Sequence, residues 1–194
     1  MSKRVNLDAM IPRADFAVTE ADTQQERFTS IGLDNLSDKA PIFRTLRKPD
    51  FQRESNHWSA GQICDLIKSF LDDELVPSLI LWDSTAYIFV IDGGHRLSAL
   101  KAWIADDYGD GFISQRFYNG VISRDQKQIS KTTRNLVERE IGRFSDLAAM
   151  VAETGIKDNT KLQRANRMFK RVITLQWVVG SKEKAESSFY KINS

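Results

Sequence analysis

Cysteine is nearly absent from this sequence of 194 residues: Cys64 stands alone, so no disulfide can close within the chain. Histidine is almost as scarce, with His57 and His95 its two copies, and their spacing with Cys64 matches no structural zinc site. Apolar runs are short, the longest being Leu79 to Trp82, Tyr87 to Ile91 and Val172 to Val179, well below the ~20 residues of a membrane span. The opening Met1-Ser2-Lys3-Arg4-Val5-Asn6 lacks the apolar stretch of a signal peptide, and with the single cysteine it points to the cytoplasm. Neither a P-loop with Gly-Lys-Ser/Thr nor a Gly-x-Gly-x-x-Gly fingerprint occurs, and no repeat or low-complexity tract is visible.

What is present is a globular balance, 41% hydrophobic and 28% charged, enough for a core in a chain of one-domain length. The net charge of +2 is unevenly spread: residues 1–56 are neutral, residues 57–111 carry −6 and residues 112–194 carry +8. A basic final third attracts polyanions or is a solvated face, and charge alone leaves both open.

Residues 1–40 mix charged and small polar residues with few apolar anchors and read as an N-terminal arm; the domain proper is expected over 41–194. Ile42 to Leu46 suggest a short strand, and Pro49 to Glu54 extended backbone. Ser59-Ala60-Gly61-Gln62 is a capping box before a helix whose Ile63, Leu66, Ile67 and Phe70 share one face. Ser78 to Trp82 and Ala86 to Ile91 predict a hairpin turning at Asp83-Ser84. The second strand runs into Asp92-Gly93-Gly94-His95-Arg96 and a helix with Leu97, Leu100, Trp103 and Ile104 inward and Lys101 off that side. Asp106 to Gly111 resembles a calcium loop but fails on ligands, with Tyr108 at the third position and Phe117 at the twelfth. Helices follow from Ser123 toward Arg139, from Ser145 to Glu153 and from Thr160 to Lys170, making a helical basic part at about 112–171. Val172 to Val179 predict a strand, with a continued helix as the alternative, and Gly180-Ser181 opens a last helix. The whole is an α/β (α+β) pattern with a small mixed sheet flanked by helices.

The strand-to-helix turn at Gly93-Gly94 carries the chemistry. A helix beginning there leaves unpaired N–H groups where the helix dipole favours an anion, and two glycines let the main chain approach a phosphate. Arg96 supplies a charged donor and His95 a proton-exchanging group; a plain turn closed by an Arg96 to Asp92 ion pair is the structural alternative.

Around this turn the order Gln52-Arg53, Trp58, Gln62-Ile63, Leu66 to Phe70, Val76-Pro77-Ser78, Tyr87 to Leu100 and Ser188-Phe189-Tyr190-Lys191-Ile192-Asn193 resembles the N-terminal domain of GmrSD-type restriction proteins, in the ParB/sulfiredoxin-like superfamily. The resemblance runs from about Pro49 to the last residue. It implies a module that binds a nucleoside triphosphate, hydrolyses it in many members, and serves in defence against phage or modified foreign DNA. It implies Gln52, Arg53, Gly93, Gly94, Arg96 and Asn193 as nucleotide and phosphate contacts, His95 and Asp92 as the catalytic pair, and Asp92 as either a turn-fixing group or a Mg²⁺ ligand through water. The family motif is Asp-Gly-Gln-Gln-Arg; here Gly94 and His95 replace both glutamines, a departure that bears on hydrolysis and base preference more than on phosphate binding. Sulfiredoxin's cysteine between glycine and histidine is missing, and ParB's Gly-Glu-Arg-Arg string lacks its glutamate and second arginine here. Nothing resembles a His-Asn-His nuclease, so DNA cutting is assigned to a nuclease partner or a further C-terminal domain.

DNA contacts remain a separate expectation: Arg164, Arg167, Lys170 and Arg171 recur with Lys161 on one helical side, and Phe112, Phe117 and Tyr118 beside Arg116 and Arg124 offer rings for base stacking. The competing class is therefore a non-enzymatic DNA-binding or protein-interaction module.

Overall fold

The computed structural model describes residues 4–16, 27–52, 58–84, 86–152 and 159–193. The strands are β1 (Arg13–Ala14), β2 (Ser30–Gly32), β3 (Leu46–Pro49), β4 (Leu79–Asp83), β5 (Ile88–Asp92) and β6 (Val172–Val178), in one sheet of order β1-β3-β5-β4-β6-β2. β1, β3 and β5 run parallel; β4 and β6 are parallel to each other and opposite to β5, and β2 closes the far edge antiparallel to β6. The helices are α1 (Pro41–Thr45), α2 (Ala60–Leu71), α3 (Gly94–Ala105), α4 (Phe112–Phe117), α5 (Arg124–Glu140), α6 (Phe144–Ala152), α7 (Asn159–Met168) and α8 (Lys182–Asn193). No described helix is long and apolar enough to cross a membrane.

Side chains alternate across the sheet with the strand period of two. Leu79, Leu81 and Val90 pack into the larger core with Ile63, Ile67 and Phe70 of α2 and Leu97 and Leu100 of α3. Trp82, Phe89 and Ile91 point to the other face, where Phe16 and Ala185 of α8 cover them. The hairpin pairs as expected, Trp82 opposite Phe89 and Asp83 opposite Ile88. The capping box also forms: Ser59 Oγ accepts from the Gln62 amide at 3.3 Å and Gln62 Oε1 from the Ser59 amide at 2.9 Å.

Four expectations change, the first at Asp50 to Gln52, expected as extended backbone, where the chain turns and the Gln52 amide donates to Pro49 O at 3.1 Å. The strand expected at Ile42 to Leu46 is the helix α1, because Pro41 presets the first turn and Ile42 and Phe43, adjacent in sequence, are both buried. The described part of residues 1–40, expected as an arm, supplies β1, β2 and the fully buried Val5, Met10, Ile11, Leu33 and Leu36. Lys101, expected off the buried side of α3, is enclosed: its ammonium donates to Leu36 O at 2.9 Å and to Asp38, and lies 4.4 Å over the Phe43 ring. The 3₁₀ turn Leu33–Leu36 brings the carbonyl that makes this burial tolerable.

Candidate functional site

Because β3 and β5 are parallel and β4 starts where β5 ends, three loops meet at one end of the central strands: Asp50 to Gln52, Val76 to Ser78, and Gly93-Gly94. Gly93 has φ +93° and caps α3 with no side-chain hydrogen bond, its carbonyl accepting from the Leu97 amide at 3.0 Å. A Cβ there would stand 2.3 Å from Leu79 Cδ2, so only glycine fits both backbone and neighbour. The first-turn amides of α3 thus face this end of the sheet without a side-chain cap.

Arg96 turns back over this corner. One nitrogen, Nη2, donates to Ser78 O at 3.0 Å and to Asp92 Oδ2 at 2.6 Å, which is the ion pair of the structural alternative. Its Nε is buried with no hydrogen-bond partner. Gln52 lies across the end of β5, Nε2 donating to Val90 O and Ile91 O at 3.4 Å each, and its buried Oε1 is left without a partner. These two atoms, one donor and one acceptor, flank the glycines: Nε lies 3.3 Å from a Cβ position on Gly93, and Oε1 3.5 Å from one on Gly94. His95, half-buried, stacks on Trp58 with centroids 5.9 Å apart and planes 15° from parallel.

The Gln52 corner is fastened from residues that sequence reasoning passed over. Arg13 donates to Gln52 O and, at 3.5 Å, to Pro49 O, while its Nε and Nη2 grip Asp8 at 3.3 and 2.8 Å. Asp8 also holds the buried Lys48 ammonium at 2.6 Å, beside the β1 pairing of Arg13 with Lys48. From the other side α8 reaches the corner, Phe189 and Tyr190 meeting Phe51 at 5.1 and 6.2 Å. That brings the expected C-terminal block to Phe51, the chain neighbour of Gln52. Asn193 ends α8, but its side chain lies outside the described set, as does the whole of Arg53.

For Mg²⁺ the fit is limited but adequate: Asp92 keeps Oδ1 unengaged beside Arg96, and one carboxylate with phosphate oxygens is a usual Mg²⁺ set. No group of three or more acidic, His or Cys side chains stands together among the described residues, so a dedicated metal cage is not built. Cys64 offers no nucleophile, since burial, then the nearby Asp65 carboxylate, pushes its thiol up.

The basic helical face separates into used and exposed cations. Arg164 places Nε and Nη2 on Asp72 at 2.9 and 2.8 Å and Nη1 on Glu140 O at 2.7 Å. Arg171 donates to Phe70 O, Glu74 O and Asp73. Both lock the end of α2, so neither carries its charge outward to DNA, while Arg167 and Lys170 are exposed. The Arg164 hydrogen bond holds the Asp72 carboxyl below its ordinary range. A depressed carboxylate stabilises the fold above its unfolded pKa, and that contribution disappears as pH falls through the folded value. Arg164→Met is therefore expected to shift the acid-unfolding midpoint upward in a pH-jump melt; an unchanged midpoint would show the pair contributes nothing.

The calcium-like loop is instead folded on one acid. Asp107, buried, accepts from the amides of Gly109, Gly111 and Ser114 at 3.0, 2.9 and 2.8 Å and from Ser114 Oγ at 2.7 Å, while Asp106 and Asp110 hold the Arg134 guanidinium at 3.0 and 2.7 Å.

Among known proteins, residues 33–194 match the N-terminal domain of the GmrSD restriction endonuclease. Neither the curated proteins nor the solved structures contain a match. Asp8 and Arg13 precede the matched region, whereas Gln52, the glycine turn, Arg96 and α8 lie inside it. With that match spanning most of its length, the chain belongs to the family of GmrSD restriction endonuclease N-terminal domains.

Proposed function

We propose that the β5–α3 turn binds the phosphates of a nucleoside triphosphate with Mg²⁺, and that the domain is the nucleotide-responsive part of a restriction system whose DNA cutting lies in a nuclease partner or further domain. The observation that carries this reading is the pair of buried, unsatisfied atoms at the glycine turn, since such groups cost about 1–3 kcal/mol each unless something pairs with them. Arg96 Nε and the uncapped amides of α3 suit phosphate oxygens. Gln52 Oε1 would repel a phosphate and suits a donor, a ribose hydroxyl or a base amino group. Asp92 Oδ1 would hold Mg²⁺, which supplies charge neutralisation when bound. His95, on the first turn of α3 and oriented by Trp58, is the group assigned to proton transfer in hydrolysis.

The test is a melting-temperature titration of wild type and Arg96→Ala with ATP, GTP, CTP and UTP in Mg²⁺. A ligand at about a hundred times its dissociation constant adds ~2.7 kcal/mol, or several degrees for a domain of this size. The expected result is a shift with at least one nucleotide that Arg96→Ala abolishes, followed by phosphate release that His95→Ala slows. No shift with any nucleotide, or the same shift in the variant, overturns the reading.

A further inference from the structure

Two sets of cations stand out in the basic final third. Arg134, Arg139, Arg143, Arg164 and Arg171 are in ion pairs. Arg116, Arg124, Lys127 and Lys131 are exposed and pair with no described acidic group. The last three stand at i, i+3 and i+7 of α5, one helical stripe about 10 Å long. The face of α5 that carries buried Ser130, Thr133 and Val137 packs on α2, so the stripe is on the side left to solvent.

Six residues, 118–123, join α5 to α4, and in this stretch Phe112 is 79% exposed, Phe117 44% and Val121 80%. These exposures do not come from a loose segment. Asp107 pins the start of α4 through Gly111 and Ser114, and Tyr118, packed on the core, holds Phe117 edge-to-face at 4.8 Å. The two phenyl rings are therefore presented on a fixed backbone. Exposed Gln115, Asn119 and Gly120 interrupt the apolar surface, which suits rings that each take one planar group better than a continuous protein interface.

We propose that α4 and the first half of α5 bind single-stranded nucleic acid, with Arg116, Arg124, Lys127 and Lys131 on the phosphates and Phe112 and Phe117 stacked on bases. A duplex hides its base faces, so rings of this kind find their partners in an unpaired strand. The surface shares no residue with the glycine turn, and the proposal stands apart from nucleotide binding.

Fluorescence anisotropy with a labelled oligothymidylate of roughly 16 nucleotides and the equivalent duplex tests it. Wild type is expected to bind the single strand more tightly, with affinity falling as salt rises. Phe112→Ala/Phe117→Ala should weaken binding roughly tenfold or more with the salt slope unchanged. Arg116→Gln/Arg124→Gln/Lys127→Gln should lower the magnitude of that slope by about 2, at ~0.7 per cation on a single strand. Phe112→Ala alone, at an exposed position, removes any concern about folding and should show a smaller loss in the same direction. The proposal is overturned by no binding, by a duplex bound as tightly as the single strand, or by ring variants that bind like wild type.

Discussion

Asp8→Ala is expected to destabilise the domain by about 3–5 kcal/mol, a large part of the roughly 5–15 kcal/mol that a domain of this kind has in total. Asp8 is the acceptor for two cations at once: Lys48, whose side chain is 1% exposed, at 2.6 Å, and Arg13 at 2.8 Å. Removing the carboxylate takes from the buried Lys48 ammonium the counter-ion at 2.6 Å, while the Asp8 carbonyl at 3.0 Å stays beside it. A buried charge without its counter-ion costs more than the pair ever contributed. Hence the double variant Asp8→Ala/Lys48→Met, which removes both charges, should recover much of the loss in urea melts. If the double variant is as unstable as the sum of the single ones, the two residues act independently and the buried pair is not the cause. The same melts carry a second readout, because Arg13 joins this pair to the Gln52 carbonyl: Arg13→Met should weaken nucleotide-induced stabilisation by loosening the corner that presents Gln52 Oε1.

These contacts mark where the sequence stopped being legible. Short-range signals carried well: the Ser59 box, the β4–β5 hairpin and the helix that begins at Gly94 each depend on residues a few positions apart. Ser123-Arg124-Asp125-Gln126 has the same capping-box pattern, and only half of it formed. Ser123 caps α5, but Gln126 is drawn away to Tyr108 O, Ser130 and the Asn6 amide, the last 120 residues distant in sequence. The same kind of reach defeats the other expectations. Lys48 finds Asp8 across 40 residues, Lys101 finds Asp38 across 63, and Arg164 finds Asp72 across 92. A charged residue on a helix reads as solvent-facing until the fold supplies its partner, so a stripe that looked ready for DNA became in part the clamp on α2. The short strands β1 and β2 escaped notice for a related reason, since two or three residues give no period to detect. At the candidate site the glycines, Arg96 and Gln52 were legible through the family's motif order. Asp8 and Arg13 precede that order and carry no local signature.

The two glycines of the turn separate the demands of the fold from those of a ligand. Gly93→Ala is expected to cost about 2–4 kcal/mol. An alanine at φ +93° is strained, and its Cβ would meet Leu79 Cδ2 at 2.3 Å, a methyl of a fully buried side chain that has no room to withdraw. Loss of nucleotide binding in that variant would therefore follow from damage to the turn as readily as from a lost contact. Gly94 is different. It lies within α3 at an ordinary backbone angle, and a Cβ there meets nothing closer than Gln52 Oε1 at 3.5 Å, an ordinary contact. Alanine is the better helix former by about 0.5–1 kcal/mol, so Gly94→Ala should melt at or slightly above the wild-type temperature. The added methyl nevertheless stands at the start of the helix, between the unsatisfied Oε1 and the first-turn amides, where a phosphate would have to approach the main chain. A stable Gly94→Ala domain whose nucleotide-induced shift is markedly reduced would put the ligand at the α3 N-terminus with no confusion from unfolding. A full shift in the same variant would move any bound nucleotide away from the glycine main chain, and would leave the Arg96 to Asp92 ion pair as what it is in the plain reading, a clasp that closes the turn.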